Sequence, residues 1–389
     1  MVSWPRRMRN WPHGLINGAL ICRPRSLRNP LMSERLAAGS VIGILGGGQL
    51  GRMLSMAAAR LGYKTHIFEP APNPPAGDVA HAVTTAGYDD LEALKRFAQS
   101  CDLITFEFEN IPAPALEILS QTCPLFPDQR ALETSQDRLV EKSFLAGLGL
   151  KTAAFAAIDG AEGLDAALAS TAVPAILKTR RFGYDGKGQA RVMAPSEASA
   201  AFESLKGAPA IAEGFVEFSK EISVIAARGQ DGSMAAFDPG ENVHVDGILS
   251  TTTVPAAMPS SLVTDAVLIA SRILNALEYV GVMGVELFVT KDGLIVNEIA
   301  PRVHNSGHWT QAGCAVDQFE QHIRAIAGWP LGDGSRHANV VMENLIGDDV
   351  ERVAELAGEK GVQVHLYGKA ETRPGRKMAH INRVTGPND

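Results

Sequence analysis

The 389-residue sequence has few cysteines and no cysteine motif. Its four cysteines, Cys22, Cys101, Cys123 and Cys314, lie far apart, and none belongs to a C-x-x-C pair. A structural zinc site and a disulfide scaffold both need close or numerous cysteines, so we expect neither. Reduced thiols and a cytoplasmic location fit this pattern best.

The sequence also lacks a positive charge excess and a long hydrophobic run. Its formal net charge is −7, whereas nucleic acids and anionic membranes usually bind basic surfaces, so we expect neither partner. No stretch reaches the roughly 18 continuous apolar residues that a membrane span requires. A chain of this length with 46% hydrophobic and 20% charged residues predicts a folded enzyme of two or three domains.

Residues 1–39 differ in composition from the rest of the chain. They contain seven arginines, a single acid (Glu34) and four prolines that would interrupt any helix, so we expect a poorly ordered extension. A targeting segment is one explanation, because arginines precede a modestly apolar run at 14–22. The other is an upstream extension of the coding frame with Met32 as the working start, which the lack of an A-x-A-like cleavage site favours.

The organised part of the chain begins with an apolar run at 41–45 that predicts a strand. The glycine turn G-G-G-Q-L-G at 46–51 and a predicted helix at 53–61 follow it. Such a turn lets a ligand approach backbone N–H groups, and the helix N-terminus attracts phosphate. A second strand at 65–68 ends at Glu69, which could bind a ribose, so a dinucleotide site is one interpretation. The same turn also joins strand to helix in many doubly wound domains.

A third predicted strand, 103–106, places Glu107 at its carboxyl end, where open α/β sheets bind ligands. Glu107 is therefore a substrate-side candidate. The alternative is that the neighbouring Glu109 or Asn110 only caps the helix that follows Pro112.

The second half of the chain has features of a nucleotide triphosphate site. A predicted strand over 173–178 ends at Lys178, and the loop G-Y-D-G-K-G-Q follows at 183–189. Backbone donors and ammonium groups in such a loop could cover phosphates, although an ordinary hairpin turn is the alternative. The G-K-[ST] of a Walker loop is lacking. Predicted strands at 210–216 and 221–227 could enclose an adenine.

Two apolar segments around the K-D-G turn at 291–293 predict a β-hairpin. With the turn centred near Asp292, Glu286 and Glu298 face each other across the strands. Opposed carboxylates repel, and a divalent cation would explain their presence. Magnesium prefers such oxygen ligands, with Asn297 beside them, whereas the alternative is a pair of solvated surface glutamates.

A dense polar cluster, P-R-V-H-N-S-G-H-W at 301–309, follows the hairpin and suggests substrate contact. His304 and His308 have the i, i+4 spacing of a helical zinc site, but Gly307 separates them and H-E-x-x-H is lacking. Near the C-terminus, 369–377 contains four cations beside proline and glycine. This segment is either a phosphate clamp or a solvated charge run.

Together these motifs resemble a known family. The order G-G-G-Q-L-G-R-M, F-E-F-E-N, G-Y-D-G-K-G-Q, G-V-E-L-F, N-E-I-A-P-R-x-H-N-S-G-H-W and R-P-G-R-K-M-x-H is similar to that of the ATP-dependent 5-(carboxyamino)imidazole ribonucleotide synthetases of purine biosynthesis, a branch of the ATP-grasp superfamily. The resemblance covers roughly residues 40 to 385, and Val303 departs from the proline that the family often has.

The resemblance implies a mixed α/β and α+β fold with three domains. These are a Rossmann-like pre-ATP-grasp domain at 40–137, an ATP-grasp domain at 138–330 and a small C-terminal domain at 331–389, with 1–39 outside them. It also implies that the glycine motif at 46–51 belongs to a ribonucleotide crevice, where it cradles a substrate phosphate or supports the sheet.

The implied reaction uses ATP to convert bicarbonate to carboxyphosphate, which carboxylates aminoimidazole ribonucleotide. Magnesium, or manganese in its place, would be the cofactor, and a cytoplasmic homodimer is the implied assembly. Three alternatives stay open: a sister ATP-grasp ligase such as the formate-dependent glycinamide ribonucleotide transformylase, an NAD-dependent Rossmann oxidoreductase, and a catalytically silent ATP-binding module.

The resemblance also implies roles for individual residues. Catalytic residues would be Tyr184, Asp185, Arg302 and His304. ATP would be bound by Arg138, Lys178, Gly183, Tyr184, Asp185, Gly186, Lys187, Gly188, Gln189, Glu213, Gly214, Phe215, Val216, Glu221, His244, Asn297 and Glu298. The ribonucleotide would be bound by Gln49, Leu50, Glu107, Asn305, Ser306, Lys369, Arg376 and Lys377. The metal would be held by Glu286 and Glu298.

Overall fold

The computed structural model describes residues 35–183 and 186–387. These residues form one parallel and two antiparallel sheets with helices packed on them, which agrees with the predicted mixture of α/β and α+β structure. The predictions for the first 34 residues, including the targeting segment and the start at Met32, lie outside the described residues.

The N-terminal layer is a four-stranded parallel sheet in the order β3-β2-β1-β4. Its central strand is the apolar run V-I-G-I-L, as expected for a parallel strand covered on both faces. The predicted strands are confirmed, whereas the first helix begins at Gln49, four residues before the prediction, because it starts directly after the glycine turn. The elements are β1 Val41–Leu45, α1 Gln49–Arg60, β2 Lys64–Phe68, β3 Ala82–Thr84, α2 Leu91–Gln99, β4 Leu103–Phe106, α3 Ala113–Thr122 and α4 Gln129–Ser135.

A second sheet of four antiparallel strands follows, in the order β5-β8-β6-β7. Its strand β6 begins at Ala175, two residues later than predicted, because Pro174 has no N–H to donate to the ladder. The elements are α5 Arg138–Gly147, β5 Phe155–Ile158, α6 Leu164–Thr171, β6 Ala175–Thr179, β7 Gln189–Val192, α7 Ala198–Ser204 and β8 Ala210–Gly214.

The third sheet has nine antiparallel strands in the order β14-β13-β9-β11-β12-β15-β17-β16, with β10 added to β9. Because β12 pairs with β15, this sheet continues across the boundary predicted at residue 330. The elements are β9 Lys220–Arg228, β10 Met234–Ala236, β11 Gly240–Val245, β12 Ile248–Val254, α8 Ser260–Ala276, β13 Gly281–Thr290, β14 Gly293–Ala300, α9 Thr310–Gly313, α10 Gln318–Ile326, β15 Ala338–Ile346, α11 Val353–Leu356, β16 Val362–Leu366 and β17 Lys377–Pro387.

The N-terminal layer packs against the nine-stranded sheet through α1 and α10. Leu54 of α1 and Ile323 of α10 are fully buried in one shared apolar core. His322 of α10 joins the two layers by hydrogen bonds to Thr105 of β4 (2.8 Å) and to the backbone N–H of Val282 in β13 (3.0 Å). The parallel sheet is thus fixed relative to the hairpin that carries the predicted metal ligands.

Short 3-10 turns complete the described fold, at Pro75–Asp78, Ala161–Gly163, Pro195–Glu197, Asn305–Gly307 and Gly347–Arg352. Within residues 35–183 and 186–387, none of the helices has the length and apolarity needed to cross a membrane.

Candidate active site

The predicted hairpin is formed by β13 and β14, and it places Glu286 directly opposite Glu298. The turn closes with Thr290 paired to Gly293, so a regular ladder would pair Glu286 with Asn297 instead. A bulge on β14 accommodates Asn297 as an extra residue and shifts the register by one. Both carboxylates consequently lie on the same face of the sheet.

Helix α5 contacts three consecutive residues around this bulge. Lys142 donates from Nζ to the carbonyl oxygen of Asn297 at 2.6 Å. Arg138 Nη1 lies 3.0 Å from Glu298 Oε2, and the N–H of Ile299 donates to Glu141 Oε1 at 2.7 Å. The helix therefore binds the bulged strand through side chains of its first two turns.

Different neighbours act on the two facing carboxylates. Burial, with the charge of Glu298 added to it, raises the pKa of Glu286. Burial also acts to raise the pKa of Glu298, but the charges of Arg138 and Lys178 outweigh it and lower that pKa. One carboxylate is thus ionised through its cationic partners, while the other favours its protonated form until a further cation arrives.

The donor chemistry of this pair fits a divalent cation. Two hard carboxylate oxygens facing each other are the usual protein contribution to a magnesium site, and nucleotide phosphates supply further ligands. Within the described part of the chain, no group of three or more His, Cys, Asp or Glu side chains is arranged to hold a metal ion. A cation here would therefore depend on oxygen ligands beyond the protein carboxylates.

Predicted ATP ligands surround a buried charge cluster next to the hairpin. Lys178 Nζ donates to Glu213 Oε2 at 2.9 Å, and Lys142 Nζ lies 3.6 Å from the same oxygen. Glu213 is only 4% exposed, and its Oε1 is buried without a hydrogen-bond partner. Its two lysine partners lower its pKa against the effect of burial. The structure brings together Lys178, Glu213, Arg138 and Glu298.

The glycine loop at 183–189 connects β6 and β7, so it is both the predicted loop and a hairpin connection. The N–H of Thr179 donates to the carbonyl oxygen of Gly188 at 2.8 Å. Gly188 has φ +70°, and a Cβ there would lie 2.6 Å from Thr179 Oγ1, so glycine is required. Gln189 pairs with Lys178 across the strands. Tyr184 and Asp185 lie outside the described residues.

The predicted ATP-binding residues Glu213, Glu221 and His244 lie on β8, β9 and β11. His244 Nδ1 is 2.6 Å from Glu221 Oε2. Burial alone would lower the pKa of His244, but Glu221 outweighs it and raises that pKa. Beyond Gly214, Phe215 is half exposed, with 51% of its surface accessible. The apolar side chain thus follows a strand of the four-stranded sheet, whereas Glu221 and His244 belong to the nine-stranded sheet.

The glycine turn of the N-terminal layer binds carboxylates of its own chain. The N–H of Gly47 donates to Glu69 Oε2 at 2.8 Å, and that of Gly48 donates to Glu107 Oε1 at 2.7 Å. These two amides therefore do not cradle a phosphate, which corrects that part of the expectation. Leu50 is buried in the core, so its side chain packs the sheet, whereas Gln49 begins α1.

Glu107 lies at the carboxyl end of β4, where it accepts the hydrogen bond from the Gly48 N–H. Burial raises its pKa to about 7, although the Gly48 N–H and the charge of Arg302 act in the opposite direction. Arg302 Nε lies 3.0 Å from Glu109 Oε1, so Glu109 pairs with the predicted catalytic arginine. The helix-capping alternative for Glu109 is therefore wrong, because Pro112 occupies the cap of α3 without a side-chain hydrogen bond.

A chain of hydroxyl groups fixes the ring of His304. Ser223 donates to Ser306 Oγ at 2.7 Å, and Ser306 Oγ lies 2.8 Å from His304 Nδ1. The N–H of Ser306 also points at Nδ1, at 3.4 Å, so Nδ1 accepts and Nε2 carries the proton. Nε2 lies 3.6 Å from Glu286 Oε1. Burial lowers the pKa of His304 to about 3, so this ring is neutral.

The remaining predicted substrate residues lie in the turn after β14, in the loop before β17 and at the start of β17. Asn305 exchanges hydrogen bonds with Asn344 at 2.9 and 2.8 Å, so its amide is engaged within the protein. Lys369 donates to the carbonyl oxygen of Lys377 at 2.5 Å, and Arg376 donates to that of Glu371 at 2.8 Å. The charge of Lys377 acts on the pKa values of Glu286 and His304, so Lys377 lies near these two side chains.

His308 does not join His304 in a metal site. Its Nδ1 lies 3.0 Å from Gln318 Nε2, and its ring is 4.6 Å from that of His380. The rings of His380 and His365 stack at 4.5 Å. These histidines form a buried aromatic group in which burial lowers every pKa.

Sequence reasoning missed Lys142, Glu141 and Ser223. The signal for the first two was present, because an acid and a base occur side by side in the otherwise amphipathic helix R-L-V-E-K-S-F-L-A-G. Buried charges of this kind are rarely tolerated without a partner, so they point to a specific contact. Ser223 carried no such signal within an apolar strand.

Family models match three consecutive parts of the chain. A ribonucleotide synthetase preATP-grasp domain matches residues 40–136, an ATP-grasp domain 143–319 and a phosphoribosylaminoimidazole carboxylase C-terminal domain 340–388. An N5-carboxyaminoimidazole ribonucleotide synthase of Brucella melitensis is 55% identical over 90% of this chain and 97% of its own length. The Bacillus subtilis synthase is 40% identical, with 90% and 93% covered.

The chain belongs to the N5-carboxyaminoimidazole ribonucleotide synthase family. The predicted family and fold are thereby confirmed. Solved structures of the family agree. An ADP complex of such a synthetase has a TM-score of 0.88 at 40% identity, covering 91% of this chain and 94% of that one. The Aspergillus clavatus synthase in complex with ADP and 5-aminoimidazole ribonucleotide has a TM-score of 0.85 at 30% identity, covering 90% and 94%.

This family membership decides between the interpretations of the glycine turn. The matched N-terminal model is that of ribonucleotide synthetases, and Glu69, the acid that a dinucleotide ribose would need, is hydrogen-bonded to Gly47. The NAD-dependent oxidoreductase is therefore not supported.

Proposed function

We propose that this chain uses ATP and bicarbonate to carboxylate 5-aminoimidazole ribonucleotide, forming N5-carboxyaminoimidazole ribonucleotide, ADP and phosphate in purine biosynthesis. The carrying observation is the pair Glu286 and Glu298, which face each other across β13 and β14, with Arg138 on Glu298 and the lysine pair at Glu213 nearby. Relatives that cover almost the same length carry this activity in their names.

ATP would lie between the four-stranded antiparallel sheet and the nine-stranded sheet. Lys178 and Arg138 lie beside this space and would neutralise phosphate charge, while Glu221 with His244 would contact the ribose. Phosphoryl transfer chiefly requires positioning and charge neutralisation, so no covalent nucleophile is needed. The ADP complexes of family members support nucleotide binding.

Glu286 and Glu298 would hold magnesium, or manganese in its place. Bound there, the cation would neutralise phosphate oxygens and help to orient them. The chain itself prepares this site, because Arg138 keeps Glu298 ionised and the neutral ring of His304 presents an N–H toward Glu286.

Bicarbonate and the ribonucleotide would meet between the hairpin and the N-terminal crevice. Arg302 would bind the anionic carboxyl group, and His304 would donate from Nε2 without adding positive charge. Glu107 would bind the ribonucleotide, with Lys369 and Lys377 on its phosphate. Support comes from the electrostatic effect of Arg302 and Lys369 on Glu107, since such an effect requires the three side chains to lie near one another.

We also propose a cytoplasmic homodimer. Within the described residues, Cys101, Cys123 and Cys314 are free thiols, which fits a reducing compartment. Light scattering of the purified protein would measure the assembly state.

The test is ADP release by the purified protein with ATP and magnesium, with bicarbonate and aminoimidazole ribonucleotide each present or omitted. We expect strong stimulation by the ribonucleotide and incorporation of labelled bicarbonate into the product. Formate incorporation with glycinamide ribonucleotide, without any response to aminoimidazole ribonucleotide, would instead identify a sister ATP-grasp ligase. ATP turnover that no substrate stimulates would contradict the proposal.

A further inference from the structure

Lys142 is a buried lysine that none of the proposed steps uses. Only 1% of its side chain is exposed, although an unpaired buried ammonium group is strongly unfavourable. Burial lowers its pKa, while Glu213 and Glu141 act in the opposite direction. Its position must therefore be explained by the groups that its ammonium group contacts.

The first contact is the bulge of β14. Lys142 Nζ lies 2.6 Å from the carbonyl oxygen of Asn297, the residue that the bulge adds to the strand. A bulged residue leaves the regular ladder, so its backbone groups need other partners. Lys142 supplies the partner for this carbonyl group.

The second contact is on the opposite sheet. Lys142 Nζ lies 3.6 Å from Glu213 Oε2 at the end of β8, and Lys178 of β6 binds the same oxygen. One ammonium group therefore bridges the four-stranded and the nine-stranded sheets, between which ATP is proposed to bind.

The register explains why the bulge matters. Without the extra residue, Glu286 would pair with Asn297, and Glu298 would move one position along the strand. Successive side chains of a strand point to opposite faces, so Glu298 would turn away from Glu286. The facing carboxylates thus depend on the conformation that Lys142 stabilises.

We propose that Lys142 is a positioning residue for the metal-nucleotide site. By holding the Asn297 carbonyl group and Glu213 together, it keeps Glu298 opposite Glu286 and aligns both with the Lys178 side of the nucleotide. This inference rests on the proposed function, since it takes Glu286 and Glu298 as the metal ligands.

The test measures ADP affinity by calorimetry with and without Mn²⁺, together with direct Mn²⁺ binding by electron paramagnetic resonance. Lys142→Met keeps the length of the side chain and removes its charge. We expect the gain in ADP affinity that Mn²⁺ produces to fall about tenfold, as for other residues that orient metal ligands. If Lys142 were merely structural, its replacement would lower protein stability but leave unchanged the ratio of ADP affinity with Mn²⁺ to that without it.

Lys151→Met is the matched control. Lys151 donates to the carbonyl oxygen of Asp292 at 3.3 Å, so it contacts the backbone of the same hairpin, but it is exposed and lies at the turn. We expect its replacement to leave the ratio unchanged. Lys142→Gln is measured in parallel, because its amide still reaches toward a carbonyl oxygen. Its ratio of ADP affinity with and without Mn²⁺ should lie between those of Lys142→Met and the wild type.

The outcomes separate this inference from the function on which it rests. Wild-type protein that binds ADP without any effect of Mn²⁺ would contradict the proposed metal site. A wild-type response that persists undiminished in folded Lys142→Met or Lys142→Gln would overturn the positioning role alone. If Lys142→Met does not fold, Lys142→Gln decides.

Discussion

Glu286 and Glu298 occupy directly opposed positions on neighbouring strands, yet among the residues that the structure describes only Glu298 has an arginine partner, Arg138 at 3.0 Å. Opposed like charges are unfavourable in a sheet. Glu286 avoids this repulsion by favouring its protonated form, and its raised pKa lowers the stability of the ligand-free protein at neutral pH, because the unfolded chain ionises this carboxyl group.

The asymmetry predicts opposite stability effects for two otherwise similar variants. Glu286→Gln should leave the ligand-free protein unchanged or more stable by up to about 1 kcal/mol, because it removes a carboxyl group whose raised pKa disfavours folding at neutral pH. Glu298→Gln should destabilise it by about 1 to 3 kcal/mol, because Arg138 loses its charged partner. Both should lower ATP turnover by about two orders of magnitude if each carboxylate binds the cation.

Urea unfolding without ligands and steady-state ADP release measure the two effects. Glu355→Gln, an exposed position on α11, is the control and should change neither. Equal destabilisation by the two active-site variants would show that Arg138 does not distinguish the carboxylates.

Much of this pair was predictable from the sequence. Two apolar segments around the K-D-G turn predicted the hairpin, and the facing glutamates followed from the near-symmetric spacing about Asp292. The bulge at Asn297 was not predictable, because it depends on the carbonyl contact from Lys142 in a distant helix. Tertiary contacts of this kind leave no periodic signal in a sequence.

For the glycine turn at 46–51, the local structure was predictable from the sequence but its hydrogen-bond partners were not. Its local pattern predicted strand, turn and helix, and all three form. The pattern did not reveal that Glu69 and Glu107 accept hydrogen bonds from the Gly47 and Gly48 amides. Those acids follow other strands, so only the parallel pairing of β1 with β2 and β4 brings them to the turn.

Glu107→Gln tests the ribonucleotide crevice. The amide can still accept from the Gly48 N–H, so the glycine turn should keep its conformation. We expect the KM for aminoimidazole ribonucleotide to rise about tenfold, as for loss of a charged hydrogen bond, while the KM for ATP changes little. Steady-state kinetics with each substrate varied in turn measure this. A parallel rise in both KM values would place Glu107 outside a specific ribonucleotide site.

Ser306→Ala tests the orientation of His304. The variant removes the hydroxyl group 2.8 Å from Nδ1 and the acceptor of Ser223. Groups that orient an active-site ring typically change activity about tenfold, so kcat should fall by about that factor with little change in ATP binding. Ser335→Ala, an exposed serine, is the control. Full kcat in the folded Ser306→Ala variant would contradict the role of the hydroxyl chain.

His322 makes the interface between the N-terminal layer and the nine-stranded sheet sensitive to acid. Its Nδ1 accepts from the Val282 N–H at 3.0 Å, so Nε2 carries the proton and donates to Thr105 Oγ1 at 2.8 Å. A second proton on this ring would break the Val282 hydrogen bond. Burial accordingly lowers the pKa of His322 to about 3.

The sign of the pH effect follows from this lowered pKa. Between the ordinary histidine pKa of 6.5 and the lowered pKa of about 3, the unfolded chain binds a proton at this position and the folded protein does not. Unfolding therefore becomes more favourable as pH falls through this window. From pH 7.5 to 5.5, His322 alone should lower the free energy of unfolding by about 1.4 kcal/mol.

His322→Gln separates this effect from those of other titrating groups, which change equally in both proteins. We expect the variant to be less stable at pH 7.5 by about 1 to 2 kcal/mol, because glutamine replaces both hydrogen bonds imperfectly. At pH 5.5 the difference in free energy of unfolding between the two proteins should be smaller by about 1.4 kcal/mol, since only the wild type has the buried imidazole. Urea unfolding at both pH values measures the gap, with His81→Gln at an exposed position as the control. A gap that stays constant between the two pH values would mean that the folded protein accommodates a protonated His322, and the acid sensitivity of the interface would then have to come from other buried groups.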